Sequence, residues 1–250
     1  MCIRDRNKAD SSYTQEELRP HTDATYSYEL AVIIQNGLET MFQLRENCFY
    51  YITTMNENYH QPAMPVDVKE GIIKGMYRVK RSTEVDLKVQ LMGSGTILNE
   101  VLCAQEILLQ RYNVNSDVWS LTSINQLVRE GQSVRRWNLL HPTNEPKVSF
   151  VEQALLDSDG PVVIATDYMK NYGEQLRAFI HSPLYVLGTD GFGRSDSRES
   201  LRYFFEVDRN FIVVTALKAL SDQGKLDADV VSEAITSLGI DPEKCNPLAI

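Results

Sequence analysis

Asn56, Glu57, Asn58, Tyr59 and His60 follow one another directly and place two amides, a carboxylate, a phenol and an imidazole in one short stretch. An imidazole gains and loses a proton near neutral pH, so His60 is a candidate acid or base. Glu57 and Tyr59 are candidates to orient it or to meet a substrate, and Asn58 adds hydrogen-bonding support. The stretch follows Tyr50, Tyr51, Ile52, Thr53 and Thr54, residue types that suit a pleated, buried strand over residues 48–55. Pro62 and Pro65 close it. Ligands of α/β sheets bind beyond the carboxyl ends of strands, where such a loop lies. The plain alternative is a loop whose polar groups satisfy one another and the nearby backbone, since a lone histidine is weak evidence.

A second polar stretch, "LGTDGFGRSDSRESLRYFF" over residues 187–205, combines Gly188, Gly191 and Gly193 with a helix start. Ser195, Asp196 or Ser197 is placed to cap that helix. A glycine loop before a helix N-terminus is able to hold an anion, with Arg194 and Arg198 nearby. The spacing G-x-x-G-x-G is not the dinucleotide fingerprint, however, and Asp190 and Asp196 oppose an anion, which favours a structural loop. The turn in "LMGSGTILNEV" is the ordinary strand-to-helix turn of an α/β unit. His141, directly before Pro142, also reads as structural. The nucleophile elbow, the zincin motif and the P-loop are all absent.

These residues need elements to hold them. The 250 residues are 43% hydrophobic and 24% charged, ordinary for a globular chain, with a formal net charge of -9. That acidity argues against general nucleic-acid binding, which needs basic surface. No apolar run approaches a membrane span, and the first residues lack the apolar region of a secretory signal. Four scattered cysteines form no C-x-x-C pair, and Cys48 and Cys103 sit in apolar runs as expected buried thiols. Together these imply a cytoplasmic, reducing setting.

Residues 1–24 read as polar and irregular. Leu30, Ile33, Ile34, Leu38, Met41 and Phe42 predict a helix over 28–42. Residues 67–75 predict a short helix with Asp67 as its cap and Gly75 at its end. A polar stretch at 80–86 marks a boundary. Beyond it strands alternate with helices: "LKVQLMG", "SDVWSL", "PVVIATD" and "PLYVLGT" are the strands. The expected class is α/β with a mainly parallel sheet over 86–250, preceded over 25–80 by part of another domain.

Taken together, "YSYELAVIIQNGLETMF", "YYITTMNENYHQPAMP", "VQLMGSGTIL", "RWNLLHP", "TDYMK" and "LGTDGFGRSDSRESLRYFFEVD" resemble the homodimeric bacterial pyruvate dehydrogenases, the thiamine-diphosphate-dependent first components of their complexes. The resemblance implies that 25–80 is the tail of a central pyrimidine-binding domain and 86–250 a transketolase-like C-terminal domain. It implies decarboxylation of pyruvate on thiamine diphosphate with Mg2+, and transfer of the acetyl group to lipoyl groups of a dihydrolipoyl acetyltransferase core. In this family the histidine of NENYH faces the active-site cavity, and His60 matches it. Glu57, Asn58 and Tyr59 match supporting positions. The family's G-D-G diphosphate and magnesium motif is absent, so cofactor and metal ligands are expected outside this chain, as is the glutamate that activates the cofactor. "MCIRDR" does not match the family and reads as an assembly artefact, and the chain alone is expected to be inactive. A non-enzymatic α/β subunit-binding module and a relative acting on another 2-oxo acid are the alternatives.

Overall fold

The computed structural model describes residues 21–82 and 86–249. The irregular start expected over 1–24 lies outside the described residues up to position 20. The remainder departs from it: β1 (Thr22–Asp23) is buried and pairs in parallel with β2 (Ile52–Thr53). α1 (Ser27–Leu38) starts where the Glu29 side chain turns back onto the backbone N–H groups of Thr25 and Tyr26, at 2.5 and 2.9 Å. Capping of this kind satisfies donors that a helix start leaves orphaned. A π-type turn, Glu39–Gln43, extends the helix. Val32 and Ile33 are buried, but Leu38 is 51% and Phe42 73% exposed. The apolar residues therefore occupy two sides of the helix, one packed inward and one exposed.

α2 (Lys69–Lys74) ends on Gly75, at φ +111°, where a Cβ would stand 2.5 Å from the Ser123 carbonyl oxygen. Only glycine serves there. The expected Asp67 cap is not formed: Val68 holds the N-cap position and Asp67 is in a left-handed turn at φ 60°.

β3 (Met76–Lys80) follows and runs antiparallel to β5 (Asn115–Leu121). The second sheet thus begins before the polar 80–86 stretch, and a boundary drawn there separates an edge strand from its own sheet. β4 (Lys88–Gly93), β5, β6 (Val162–Ala165) and β7 (Leu184–Leu187) are mutually parallel, in the order β3-β5-β4-β6-β7. Alternate residues of β4 face opposite sides, as a pleated strand requires. Val89 and Leu91 pack with Leu98 and Val101 of α3 (Ile97–Tyr112) and with Ile212 and Leu217 further along. Met92 packs on the other side with Leu127 of α4 (Ile124–Leu140) and with Ile164 and Phe179. Both faces are covered, which explains why the strands read as apolar runs.

α5 (Phe150–Ala154), α6 (Lys170–Glu174) with a tight turn over Gln175–Phe179, α7 (Arg198–Phe204), α8 (Arg209–Asp222) and α9 (Ala228–Ser237) complete the chain. None of the described helices is long and apolar enough to cross a membrane.

Candidate active site

The strand expected over 48–55 is shorter and less buried than its residue types suggest. The strand itself is Ile52–Thr53, both half-buried, with an isolated bridge at Phe49, and Tyr51 is 60% exposed. Among the described residues, β1 is the strand that pairs with β2, in a two-stranded sheet.

Beyond β2 the polar residues separate into two sets. Asn56 accepts a hydrogen bond from Arg198 Nη2 at 2.6 Å. The Glu57 carboxylate receives both terminal nitrogens of Arg202, at 2.5 and 3.3 Å, and lies 3.6 Å from Arg198 Nε. Tyr59 donates its hydroxyl to the Thr25 carbonyl oxygen, and its ring meets Tyr26 edge-on. Asn58 and His60 are exposed and hydrogen-bond to no described residue. Of the four site residues expected from sequence, Glu57 and Tyr59 thus turn inward and anchor the segment, while Asn58 and His60 are presented outward.

The anchor is deep. Glu100 of α3 is nearly buried and takes Arg209 through Nε at 2.8 Å and Nη2 at 3.0 Å, and Arg202 Nη1 at 3.3 Å. Burial pushes the Glu100 carboxyl up, but Arg209 and Arg202 more than reverse this and hold it below its ordinary value. A cavity of about 220 Å3 lies beside this ion network, lined by Met55, Glu57, Asp167, Thr189, Leu201 and Arg202.

The DGFGRSDSR loop is structural here. Gly191, at φ +94°, passes so close to Pro247 that a Cβ would stand 2.6 Å from its carbonyl oxygen. Asp190 Oδ1 accepts the Lys170 N–H at 3.0 Å, and Arg194 stacks over Phe204. Ser197 caps α7 by accepting the Ser200 N–H, so Ser195 and Asp196 do not take that role. His141 is likewise structural: it ends α4 and stacks on Trp137 at 4.4 Å. Cys48 and Cys103 are only half-buried, short of the burial expected.

Sequence reasoning missed a second cluster. His21 Nε2 lies 3.1 Å from both Thr53 Oγ1 and Tyr168 Oη, and Nδ1 lies 3.3 Å from Tyr172 Oη. Burial lowers the His21 pKa. Thr53 also contacts Asp23 Oδ1 at 2.9 Å, and Asp23 Oδ2 has no hydrogen-bond partner among the described residues. Burial, then the neighbouring Asp167, pushes the Asp23 carboxyl up to about 7. These residues join the N-terminal segment to the carboxyl ends of β4, β5 and β6. No local signal marked them, because His21 and Asp23 sit in a stretch that reads as irregular.

Among the described residues, no group of three or more His, Cys, Asp or Glu could hold a metal ion. The G-D-G motif is absent from the sequence.

Comparison with known proteins places these features in a family. Residues 8–62 match the pyruvate dehydrogenase E1 component middle domain, and residues 75–208 match the transketolase-like TK C-terminal domain. The matched stretch that begins at residue 75 includes β3, in agreement with its place in the sheet. The chain is 56% identical over 228 residues to the pyruvate dehydrogenase E1 component of Pseudomonas aeruginosa, covering 90% of this chain and 26% of that protein. To the protein of the same description from Escherichia coli K12 it is 51% identical over 227 residues, covering 90% and 25%. The chain therefore spans about a quarter of the length of these relatives. Among solved structures, transketolase from Pichia stipitis (mutant R525L) superposes with a TM-score of 0.56 at 15% identity, over 82% of this chain and 25% of that one. Transketolase from Leishmania mexicana gives 0.54 at 17% identity, over 82% and 26%. These two likenesses concern the fold alone. With a family profile matching more than half of its length, the chain belongs to the transketolase-like TK C-terminal domain family, joined to a segment that matches the pyruvate dehydrogenase E1 middle domain.

Proposed function

We propose that this chain works as part of a longer, homodimeric pyruvate dehydrogenase (acetyl-transferring). In this reading the enzyme decarboxylates pyruvate on thiamine diphosphate with Mg2+ and reductively acetylates lipoyl groups of a dihydrolipoyl acetyltransferase core. The observation that carries the proposal is the 51–56% identity to pyruvate dehydrogenase E1 components over 90% of this chain; the division within NENYH bears on the role of His60. Glu57 and Tyr59 are held inward by Arg202 and Thr25, while His60 is left unengaged at the loop surface. His60 is exposed, so water satisfies its ring nitrogens and no described residue holds them; an acid–base group must be free in this way to meet a substrate.

His60 then holds or moves a proton on the reacting molecule, and Asn58, exposed beside it, offers an amide to the same space. Glu57 and Tyr59 support the loop from behind. The cofactor supplies the electron sink for loss of carbon dioxide. Its ligands belong, in this reading, to parts of the enzyme outside this chain, so no step is assigned to residues here that would bind it.

The test is turnover of the longer protein with pyruvate, thiamine diphosphate, Mg2+ and a lipoylated acceptor. Pyruvate-dependent reduction of the lipoyl group is expected, with no turnover by the 250-residue chain alone. Preference for a different 2-oxo acid, or activity of the short chain by itself, would overturn the assignment.

A further inference from the structure

α7 carries two arginines, and both reach back across the molecule to the loop that bears His60. We infer that Arg202 is a positioning residue for His60, acting through Glu57. This deepens the functional reading above and rests on it.

The geometry is that of a clamp rather than a surface ion pair. Arg202 is 15% exposed and Glu57 23%. Both terminal nitrogens of Arg202 meet the Glu57 carboxylate, at 2.5 and 3.3 Å. Paired contacts of this kind fix orientation as well as distance. Arg202 is also held from the other side: Nη1 lies 3.3 Å from Glu100 Oε1 and Nη2 3.3 Å from Thr96 Oγ1. Glu100 is in turn locked by Arg209, including its backbone N–H at 3.1 Å. The guanidinium thus has little freedom to follow a moving loop.

The loop is gripped on both sides of Glu57. Arg198 holds Asn56 at 2.6 Å, Tyr59 is bonded to Thr25, and Gln61 accepts the Ser27 N–H at 2.9 Å. His60 stands between fixed neighbours, three residues beyond the clamp. A residue so bracketed inherits its placement from the bracket, and a displacement of about 1 Å at a reacting group lowers a rate by as much as about 10²-fold. The same arrangement explains the DGFGRSDSR loop. Gly191 against Pro247, Asp190 on Lys170 and the Ser197 cap fix where α7 begins, and so where Arg198 and Arg202 point.

The test is a double-mutant cycle in the longer, cofactor-loaded protein, combining Arg202→Met with His60→Ala. Arg202→Met alone is expected to lower kcat by about 10-fold or more, with KM for pyruvate changed less. Arg202→Lys should recover part of that loss. In the His60→Ala background, Arg202→Met should lower kcat by less than about twofold further, because residues that act as a unit are not additive. Glu57→Gln provides a second entry to the same coupling if Arg202→Met fails to fold, as judged by its melting temperature. Equal losses in both backgrounds would overturn the positioning role while leaving His60 as a catalytic residue. Parental activity of His60→Ala alone would overturn the functional reading and the positioning role together.

Discussion

Two glutamates cross between the N-terminal segment and the larger sheet, Glu29 from α1 and Glu57 from the NENYH loop. Glu29 is 0% exposed and forms no ion pair with a described residue. Its partners are the Thr25 and Tyr26 N–H groups and the hydroxyls of Tyr77 at 2.6 Å and Ser120 at 2.7 Å. Glu57 is half-buried and faces two arginines. Burial raises the Glu29 pKa despite four donors. The difference teaches what each seam does. A carboxyl group ringed by neutral donors from the turn before α1, from β3 and from β5 welds the segment to the sheet, and its loss leaves those donors unpaired in the interior. A carboxylate in an arginine clamp at the edge of a cavity holds a loop and leaves its outer face free.

The contrast breaks most visibly at Glu29. Glu29→Ala should lower stability by about 3 kcal/mol, the upper end of the range for leaving buried donors unsatisfied. For a chain of this size that corresponds to a fall in melting temperature on the order of 10 °C. Glu57→Ala should move the melting temperature far less. Similar falls for both, measured by thermal denaturation, would erase the distinction.

Asp23 sharpens it through pH. Its folded pKa, about 7, lies above the ordinary 3.8 because of burial and Asp167. The folded state therefore binds this proton more tightly than the unfolded one. The stability it confers is complete below about pH 4 and is lost as pH rises through about 7. Asp23→Asn should flatten that decline and leave the variant more stable at pH 8, by on the order of 2 kcal/mol. Denaturant midpoints from pH 4 to pH 8 check this, and an unchanged slope would refute it.

The smallest effect is expected at the α7 cap. Ser197→Ala should lower stability by about 1 kcal/mol, as lost helix caps do. In the longer protein it should also weaken the hold on Glu57, seen as faster amide exchange over residues 55–60. Unchanged exchange would show that α7 is fixed without its cap.

The parallel strands were legible because burial on both faces writes continuous apolar runs. β3 was not. Arg78 and Lys80 make it look like a linker, yet Arg78 stacks over Trp119 and lies 3.6 Å from Asp117, so its charge is accommodated at the sheet edge. His60 and its neighbours could be singled out by type and by the strand before them. Their orientation could not, since it depends on Arg202, 145 positions away, and long-range ion pairs leave no local pattern. His21 and Asp23 were invisible for a related reason: polar residues read as surface until a partner buries them.

Glu57 and Tyr59 anchor the loop and leave His60 free to act. The most direct test is His60→Ala in the longer protein, with overall pyruvate-dependent activity and thermal melting measured on the same preparation. Activity should fall by about 10²-fold or more, the lower range for a missing acid–base group, with a nearly parental melting temperature. Near-parental activity in a stable variant would contradict it, as would a collapsed melting temperature that made His60 a structural residue.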